Sequence, residues 1–398
     1  MKMPMTIYLD NNSTTAMAPQ VLDSMMPFLK MEQHFANPSS SSMLGRQVRN
    51  ALEKARISVS GFLGARPAEV VFTSGATESN HTAILAALSL SRGKRHIVTS
   101  AVEHPSVLLL CQHLERLGVE VTYLPVDTEG RLDLDTLRQA LREDTALVSL
   151  MWANNETGVI FPVREAAEIA RAAGVYFHCD ATQAVGRTHV SFAAADVDFL
   201  SCTGHKLHGP KGVGALCVRK GIELPPLFHG HQERGRRGGT ENVAAIVGFG
   251  TAVEQFSDLP GELRHLAQLR DHFERGLQAI MPCARVHGQG AERLPNTSNI
   301  GFLALDGEEL LFRLEQEGIV AALGAACAAG SNQPSHVLTA MGFSRTAVLS
   351  SLRFSFSRLN QLPDVDYLLP ILGGVLLDMM HLPQPSMATA NPSVSCLS

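Results

Sequence analysis

From about residue 70 to residue 220, short apolar runs alternate with longer stretches whose apolar positions recur at helical spacing. The runs are Val70–Thr73, His96–Thr99, Val119–Leu124, Ala146–Met151, Val175–His178, Phe199–Cys202 and Gly214–Val218. The intervening stretches include Glu78–Ser91, Ser106–Leu117, Leu134–Arg142 and Val163–Ala173, and Gly93, Gly118 and Gly174 fall just past three of them, where helices stop. This alternation predicts βαβ units, hence an α/β domain with a mostly parallel seven-stranded sheet.

Around Ser257–Gly261 the sequence Ser-Asp-Leu-Pro-Gly interrupts the pattern, and the amphipathic stretch Glu262–Ile280 follows. A domain boundary is expected there. Beyond it, strands are expected at Asn299–Leu303, Ile319–Leu323 and the alternating Ser351–Ser357, and helices at Gly307–Glu317, His336–Met341 and Val365–Met380. The organisation is therefore a large domain over 15–258 and a smaller α+β domain made of 1–14 and 259–382. The tail 383–398, rich in Pro, Ser and Asn, is expected to be disordered.

With 398 residues the chain can bury a large core without metal or disulfide staples. Lys and Arg total 33 against 38 Asp and Glu, which argues against a sequence-independent hold on nucleic acid or an anionic membrane. The longest late apolar stretch, Tyr367–Met380, carries Asp378 and is shorter than the roughly 20 residues a membrane span needs. Seven scattered cysteines with no Cys-x-x-Cys pair indicate neither a disulfide framework nor structural zinc, so a cytoplasmic location is expected.

In open parallel sheets ligands sit beyond the carboxyl ends of the strands. Here those positions are polar. Ser74-Gly75-Ala76-Thr77-Glu78-Ser79 opens a helix whose free N–H groups suit a phosphate. Glu103-His104-Pro105, Asn154-Asn155-Glu156, Asp180 with Gln183, and Thr203-Gly204-His205-Lys206 follow later runs. Singly, each reads equally well as a turn. Together, an acid and a lysine at nearby strand ends beside a phosphate cradle meet three demands of pyridoxal phosphate: a partner for the ring nitrogen, an amine for the Schiff base and a phosphate site. His205-x-x-His208 has the spacing of a zinc pair but abuts the helix-breaking Gly209-Pro210. No P-loop is present, and no G-x-G-x-x-G follows a strand.

A second group of residues lies in the smaller domain. Gly324-Ala325-Ala326-Cys327-Ala328-Ala329-Gly330-Ser331 has no large side chain to bury and reads as a mobile loop carrying one thiol. Arg353, in Ser-Leu-Arg-Phe-Ser-Phe-Ser, falls with Ser355 and Ser357 on the face opposite Leu352, Phe354 and Phe356. It suits a bidentate clamp on an α-carboxylate or, equally, a surface ion pair. The basic, glycine-rich run Gly230–Asn242 contains no aromatic residue, and anion binding near an interface is the expectation for it.

These residues resemble the group I cysteine desulfurases, closest to the NifS type and similar to the IscS type. The resemblance rests on Tyr-Leu-Asp-Asn-Asn-Ser-Thr-Thr from Tyr8, Thr-Ser-Gly-Ala-Thr-Glu-Ser from Thr73, Met-Trp-Ala-Asn-Asn-Glu-Thr-Gly from Met151, Gly-His-Lys-Leu-His-Gly-Pro-Lys-Gly from Gly204, the Gln-Glu-Arg-Gly-Arg-Arg stretch running to Asn242, and Pro-Ser-His-Val-Leu from Pro334. It implies pyridoxal-phosphate fold type I, the aspartate-aminotransferase-like fold, in a homodimer. By the same resemblance Lys206 carries the cofactor, Asp180 pairs with its ring nitrogen, His104 stacks on the ring and moves protons, and Gln183 meets the ring hydroxyl. Ala76, Thr77, Thr203 and His205 hold the phosphate, with Thr240 reaching in from the second subunit. Asn155 and Arg353 fix L-cysteine, and Cys327 is the nucleophile that becomes a persulfide. The sulfur then passes to iron–sulfur cluster assembly on a scaffold of the NifU or IscU kind, for nitrogenase if the NifS likeness holds. Cys327 is a metal ligand only as a transient iron–sulfur contact.

The sequence departs from the pattern around the thiol, where the usual Ser-Ser-Gly-Ser-Ala-Cys-Thr-Ser reads Ala322-Leu323-Gly324-Ala325-Ala326-Cys327-Ala328-Ala329 and loses its hydroxyls. Gly-Ala-Ala-Cys also occurs in selenocysteine lyases, which makes that activity the nearest rival. The usual Gly-Gly-His reads His229-Gly230-His231, and the cysteine often found at the Gly75 position is missing. A non-catalytic scaffold on the same fold is disfavoured because Lys206, Asp180 and Cys327 are all present. An aminotransferase has no use for the thiol.

Overall fold

The computed structural model describes residues 6–31, 34–303, 305–323 and 334–381. Cys327 and the tail 383–398 lie outside the described residues. In chain order the strands among those residues are β1 (Ile7–Tyr8), β2 (Val70–Thr73), β3 (His96–Ser100), β4 (Glu120–Leu124), β5 (Thr145–Met151), β6 (Tyr176–Asp180), β7 (Phe199–Thr203), β8 (Gly214–Val218), β9 (Arg285–Val286), β10 (Thr297–Gly301), β11 (Ile319–Val320), β12 (Ala322–Leu323) and β13 (Ser351–Ser355).

Seven of them form one sheet in the order β2-β8-β7-β6-β5-β3-β4. Only β8 runs antiparallel to its neighbours; the β7-β6-β5-β3-β4 portion is parallel throughout. A parallel sheet must be covered on both faces, and two apolar clusters do this. One gathers Val98, Val148, Leu150, Phe177 and Leu200 with the helices Met43–Phe62 and Val163–Ala172; the other gathers Val71, Ile97, Leu147, Phe199 and Leu216 with Ala76–Leu90 and Pro105–Arg116. The helix Val243–Glu254, nearly all apolar, packs on Met43–Phe62.

A third cluster, with Phe273, Ile300, Phe354 and Leu372, fills the space between the sheet β12-β13-β10-β9 and the helices Leu259–Ile280 and Leu362–His381. Three expectations need correcting here. Ser257–Gly261 is not a free connection, because Asp258 caps a helix that starts at Leu259 and takes Pro260 and Gly261 into its first turn. Ile319–Leu323 is two strands: β11 pairs in parallel with β1, and β12 pairs with β13 in another sheet. The alternation over Ser351–Ser357 ends at Ser355 and has no solvent face, since Arg353 is 2% exposed and Ser355 is fully buried.

Candidate active site

The carboxyl ends of β3, β5, β6 and β7 open on a cavity of about 530 Å³, within the range of small-molecule sites. Ala76, Thr77, His104, Asn155, Asp180, Gln183, Thr203, His205, Lys206 and Arg353 all line it. Thr240 does not; it is exposed on the loop after Arg237.

Asp180 ends β6 with its carboxylate fixed on both oxygens: Oδ1 accepts from the Thr182 N–H at 3.0 Å and Oδ2 from Asn80 Nδ2 at 2.7 Å. Asn80 also donates to Ser106 Oγ at 2.9 Å, and Ser106 in turn holds His104. His104 caps the helix Pro105–Arg116 and its Nδ1 accepts the Ser106 N–H at 3.1 Å, so the neutral ring keeps its proton on Nε2. Burial lowers the His104 pKa against the opposing pull of Asp180. The ring is therefore neutral near pH 7 and can take up a proton.

Lys206 lies in the turn after β7, and its amine donates to the carbonyls of Asn12 and Ser13 in the arm following β1. The same arm accepts Gln183 Nε2 on the Asn12 carbonyl and Arg187 Nη2 on the Asn11 carbonyl, both at 2.9 Å. His205 is pushed down to about 4, by burial first and then by Lys206 and Lys211. Opposite, Arg353 on β13 donates to Asp10 Oδ1 at 2.5 Å and to the Asn155 carbonyl at 3.1 Å. The surface-pair reading of Arg353 is thus replaced by a buried one.

The residues fit pyridoxal phosphate. At one end the N-terminus of the helix Ala76–Leu90 faces the cavity beside Thr203, His205 and Lys211, a cationic setting for a phosphate. The floor is close-packed there: a Cβ on Gly214 would lie 2.7 Å from the Gly75 Cα. At the other end the pinned Asp180 suits a ring N–H. Thr182 Oγ and Arg353 Nε are buried at the cavity without a hydrogen-bond partner among the described residues, as polar groups awaiting a ligand are. The Thr203 hydroxyl itself is committed to the Val213 carbonyl at 3.0 Å.

Two of the three arginines of the basic loop are committed within the fold, while Arg234 is exposed. Arg237 makes a two-pronged ion pair with Glu78 and Arg236 binds the carbonyls of Ala68 and Val70, while Glu233 is buried against Arg56. Among the described residues no group of His, Cys, Asp and Glu is arranged to hold a metal, and His208 instead bonds the Ala16 carbonyl. Sequence reasoning missed Asn80, Ser106, Thr182, Lys211 and Asp10. Asn80 carried no distinct signal, because it stands within the polar run Thr77-Glu78-Ser79-Asn80-His81-Thr82 of its helix.

The aminotransferase class-V family matches residues 7–368. A cysteine desulfurase of Gluconacetobacter diazotrophicus is 47% identical over 94% of both chains, and one of Cereibacter sphaeroides is 49% identical over 92% of this chain and 94% of its own. A solved NifS-like protein superposes with a TM-score of 0.88 at 36% identity, over 94% of this chain and all of that one. The family works with pyridoxal phosphate, and the chain, with its lysine, its pinned aspartate and its phosphate cradle on one cavity, belongs to the cysteine desulfurases of the aminotransferase class-V family.

Proposed function

We propose that this enzyme converts L-cysteine to L-alanine and stores the sulfur as a persulfide on Cys327, for donation to iron–sulfur cluster assembly. The observation that carries the reading is the meeting of Lys206, Asp180, His104 and Arg353 on one cavity, in a chain whose relatives along more than nine-tenths of its length are cysteine desulfurases.

Asp180, Ala76, Thr77, His205 and Lys206 would hold pyridoxal phosphate, which when bound draws off the electrons left on the substrate Cα after its proton is removed. Arg353 and Asn155 orient the substrate carboxylate, Lys206 takes the Cα proton, and neutral His104 moves protons at the substrate sulfur. The Cys327 thiolate attacks that sulfur: an S–S bond forms, the Cβ–S bond breaks, and its electron pair stays on the carbon that becomes the alanine methyl. L-cysteine plus the Cys327 thiol thus gives L-alanine plus the persulfide, without an outside reductant.

The likeness to NifS proteins supports delivery to a scaffold of the NifU or IscU kind in the cytoplasm, serving nitrogenase, with Cys327 touching the cluster only in transit. A homodimer is supported by Thr240, exposed on a loop that Arg237 ties to Glu78 beside the phosphate cradle. The core that gathers Ile7 and Leu9 with residues between Leu266 and Met379 supports a division into 15–258 and, together, 1–14 and 259–382, with Leu294, Val337, Leu338, Met341 and Val348 packing into the larger domain's core. Gly324-Ala325-Ala326-Cys327 keeps selenocysteine lyase as the second reading. Alanine and sulfide release from L-cysteine with dithiothreitol, wild type against Cys327→Ala at matched cofactor occupancy, tests both. Loss of both products with the cofactor spectrum intact is expected. Undiminished release would exclude the persulfide route and favour the lyase.

A further inference from the structure

The segment 324–333 is rooted at both ends in residues that flank the cavity. Upstream, Ala322 and Leu323 pair with Arg353 and Leu352 in the β12–β13 ladder. Downstream, two consecutive residues at the start of the helix His336–Ala340 reach two separate turns. Ser335 Oγ donates to Glu156 Oε2 at 2.5 Å, and His336 Nε2 donates to the Glu103 carbonyl at 2.9 Å. Glu156 directly follows Asn155, and Glu103 directly precedes His104.

Both turns are themselves fixed. Glu103 Oε1 accepts from Ser100 Oγ at 2.6 Å and from the Met151 N–H at 3.0 Å, tying the end of β3 to the end of β5. The Glu156 N–H donates to Asn154 Oδ1 at 2.8 Å, and the Glu156 carbonyl accepts from Asn299 Nδ2 at 3.2 Å. Ser335 Oγ also accepts the Leu338 N–H at 3.1 Å, which leaves its proton directed at Glu156.

We propose that the Ser335–Glu156 and His336–Glu103 contacts form a two-point anchor that sets the root of the Cys327 segment against the turns carrying Asn155 and His104, making Ser335 and Glu156 positioning residues for the sulfur-transfer step. This rests on the reading of Cys327 as the nucleophile. Neither carboxyl has a salt-bridge partner among the described residues, and burial pushes Glu103 up to about 8 and Glu156 up to about 7. Such unpaired buried carboxyls cost stability, and apolar residues of similar volume would fill the space more favourably. What the carboxyls add is direction: Glu156 receives Ser335 itself, and Glu103, through Ser100 Oγ and the Met151 N–H, holds the turn whose carbonyl receives His336.

The test uses the holoenzyme and two readouts. Exchange of the L-alanine Cα hydrogen for solvent deuterium needs the cofactor and Lys206 but not the thiol; alanine release from L-cysteine needs all three. Ser335→Asp keeps a helix-capping oxygen but replaces the hydrogen-bond donor with a second carboxyl. Glu156→Ala removes the acceptor, and Glu156→Gln keeps an acceptor oxygen. Ser335→Asp and Glu156→Ala should lower alanine release on the order of 10- to 100-fold, with Ser335→Asp leaving exchange within about twofold of wild type. Glu156→Gln should retain most of both. Equal losses in both readouts for Ser335→Asp, or wild-type release from it, would overturn the anchor. Absence of both activities in the wild type would instead strike at the proposed function.

Discussion

The two main sheets build their parts of the site in different ways. In the seven-stranded sheet His104, Asp180 and Lys206 all lie at or just past carboxyl strand ends, where the backbone stops bonding to neighbours and side chains face the cavity. In the smaller sheet Arg353 sits in the middle of β13, paired in register with Asn299 on β10 and Ala322 on β12, and reaches the cavity sideways through Asp10 and Asn155. A strand-end residue owes its place to topology. A mid-strand residue owes it to whatever covers its face.

The largest effect should come from a strand end. Lys206→Ala removes the cofactor-bonding amine and should lower alanine formation on the order of ten-thousandfold, with the lysine-bound cofactor absorbance lost as well. Activity within tenfold of wild type would detach Lys206 from the chemistry. Next comes the edge of the same sheet. Glu233 binds Arg56 through both oxygens and accepts the Phe72 N–H at 3.0 Å, so it closes off β2 with a buried pair. Glu233→Ala leaves the buried Arg56 with only the half-exposed Glu53 as a charge partner and should destabilise the fold by about 3 kcal/mol, read from urea unfolding. A loss below about 1 kcal/mol would show that Glu53 and water suffice to compensate Arg56.

The mid-strand residue should respond more subtly. Lysine in place of Arg353 keeps one charge but cannot serve Asp10, the Asn155 carbonyl and a substrate carboxylate together. Arg353→Lys should raise KM for L-cysteine on the order of 10- to 100-fold with a smaller change in kcat, measured by initial rates. A fall in kcat alone would mean that Arg353 acts as a structural tie.

The same contrast explains what could be read from the chain beforehand. Each strand of the large sheet is a short run between turns, and after the parallel strands β3, β5, β6 and β7 the polar residues fall at the ligand end by topology alone. Alternation misled at Arg353 because both faces of β13 are covered, one by Phe273 and its neighbours and the other by the arm through Asp10. Asp10 and Arg353 stand 343 positions apart, so no local pattern could join them. The Ser-Asp-Leu-Pro-Gly stretch carried both a break signal and a capping signal, and the cap prevailed because Asp258 closes onto the Gly261 N–H. The basic loop looked open because its partners Glu78 and Arg56 come from distant helices.

The gentlest test sets the sheet interior against the turns by pH. His178, on β6 between Ser149 and Ser201, is held down to about 4 by burial, from an ordinary 6.5. Its folded form stays neutral while the unfolded chain takes up a proton, so its contribution is complete above pH 6.5 and is lost as pH falls toward 4. Glu103 runs the other way, with a folded value of about 8 against 4.5. Its contribution is complete below pH 4.5 and is lost as pH rises through 8, at no more than about 1.4 kcal/mol per pH unit. Glu156 acts in the same direction up to about 7. Melting temperatures should therefore fall between pH 5 and 8 less steeply in Glu103→Gln than in wild type, and the loss below pH 6.5 that His178 and the other buried histidines contribute, which Glu103 opposes in the wild type, should become steeper. Parallel curves would mean that Glu103 ionises normally in the fold, and the asymmetry between a histidine-bearing sheet and carboxyl-bearing turns would disappear.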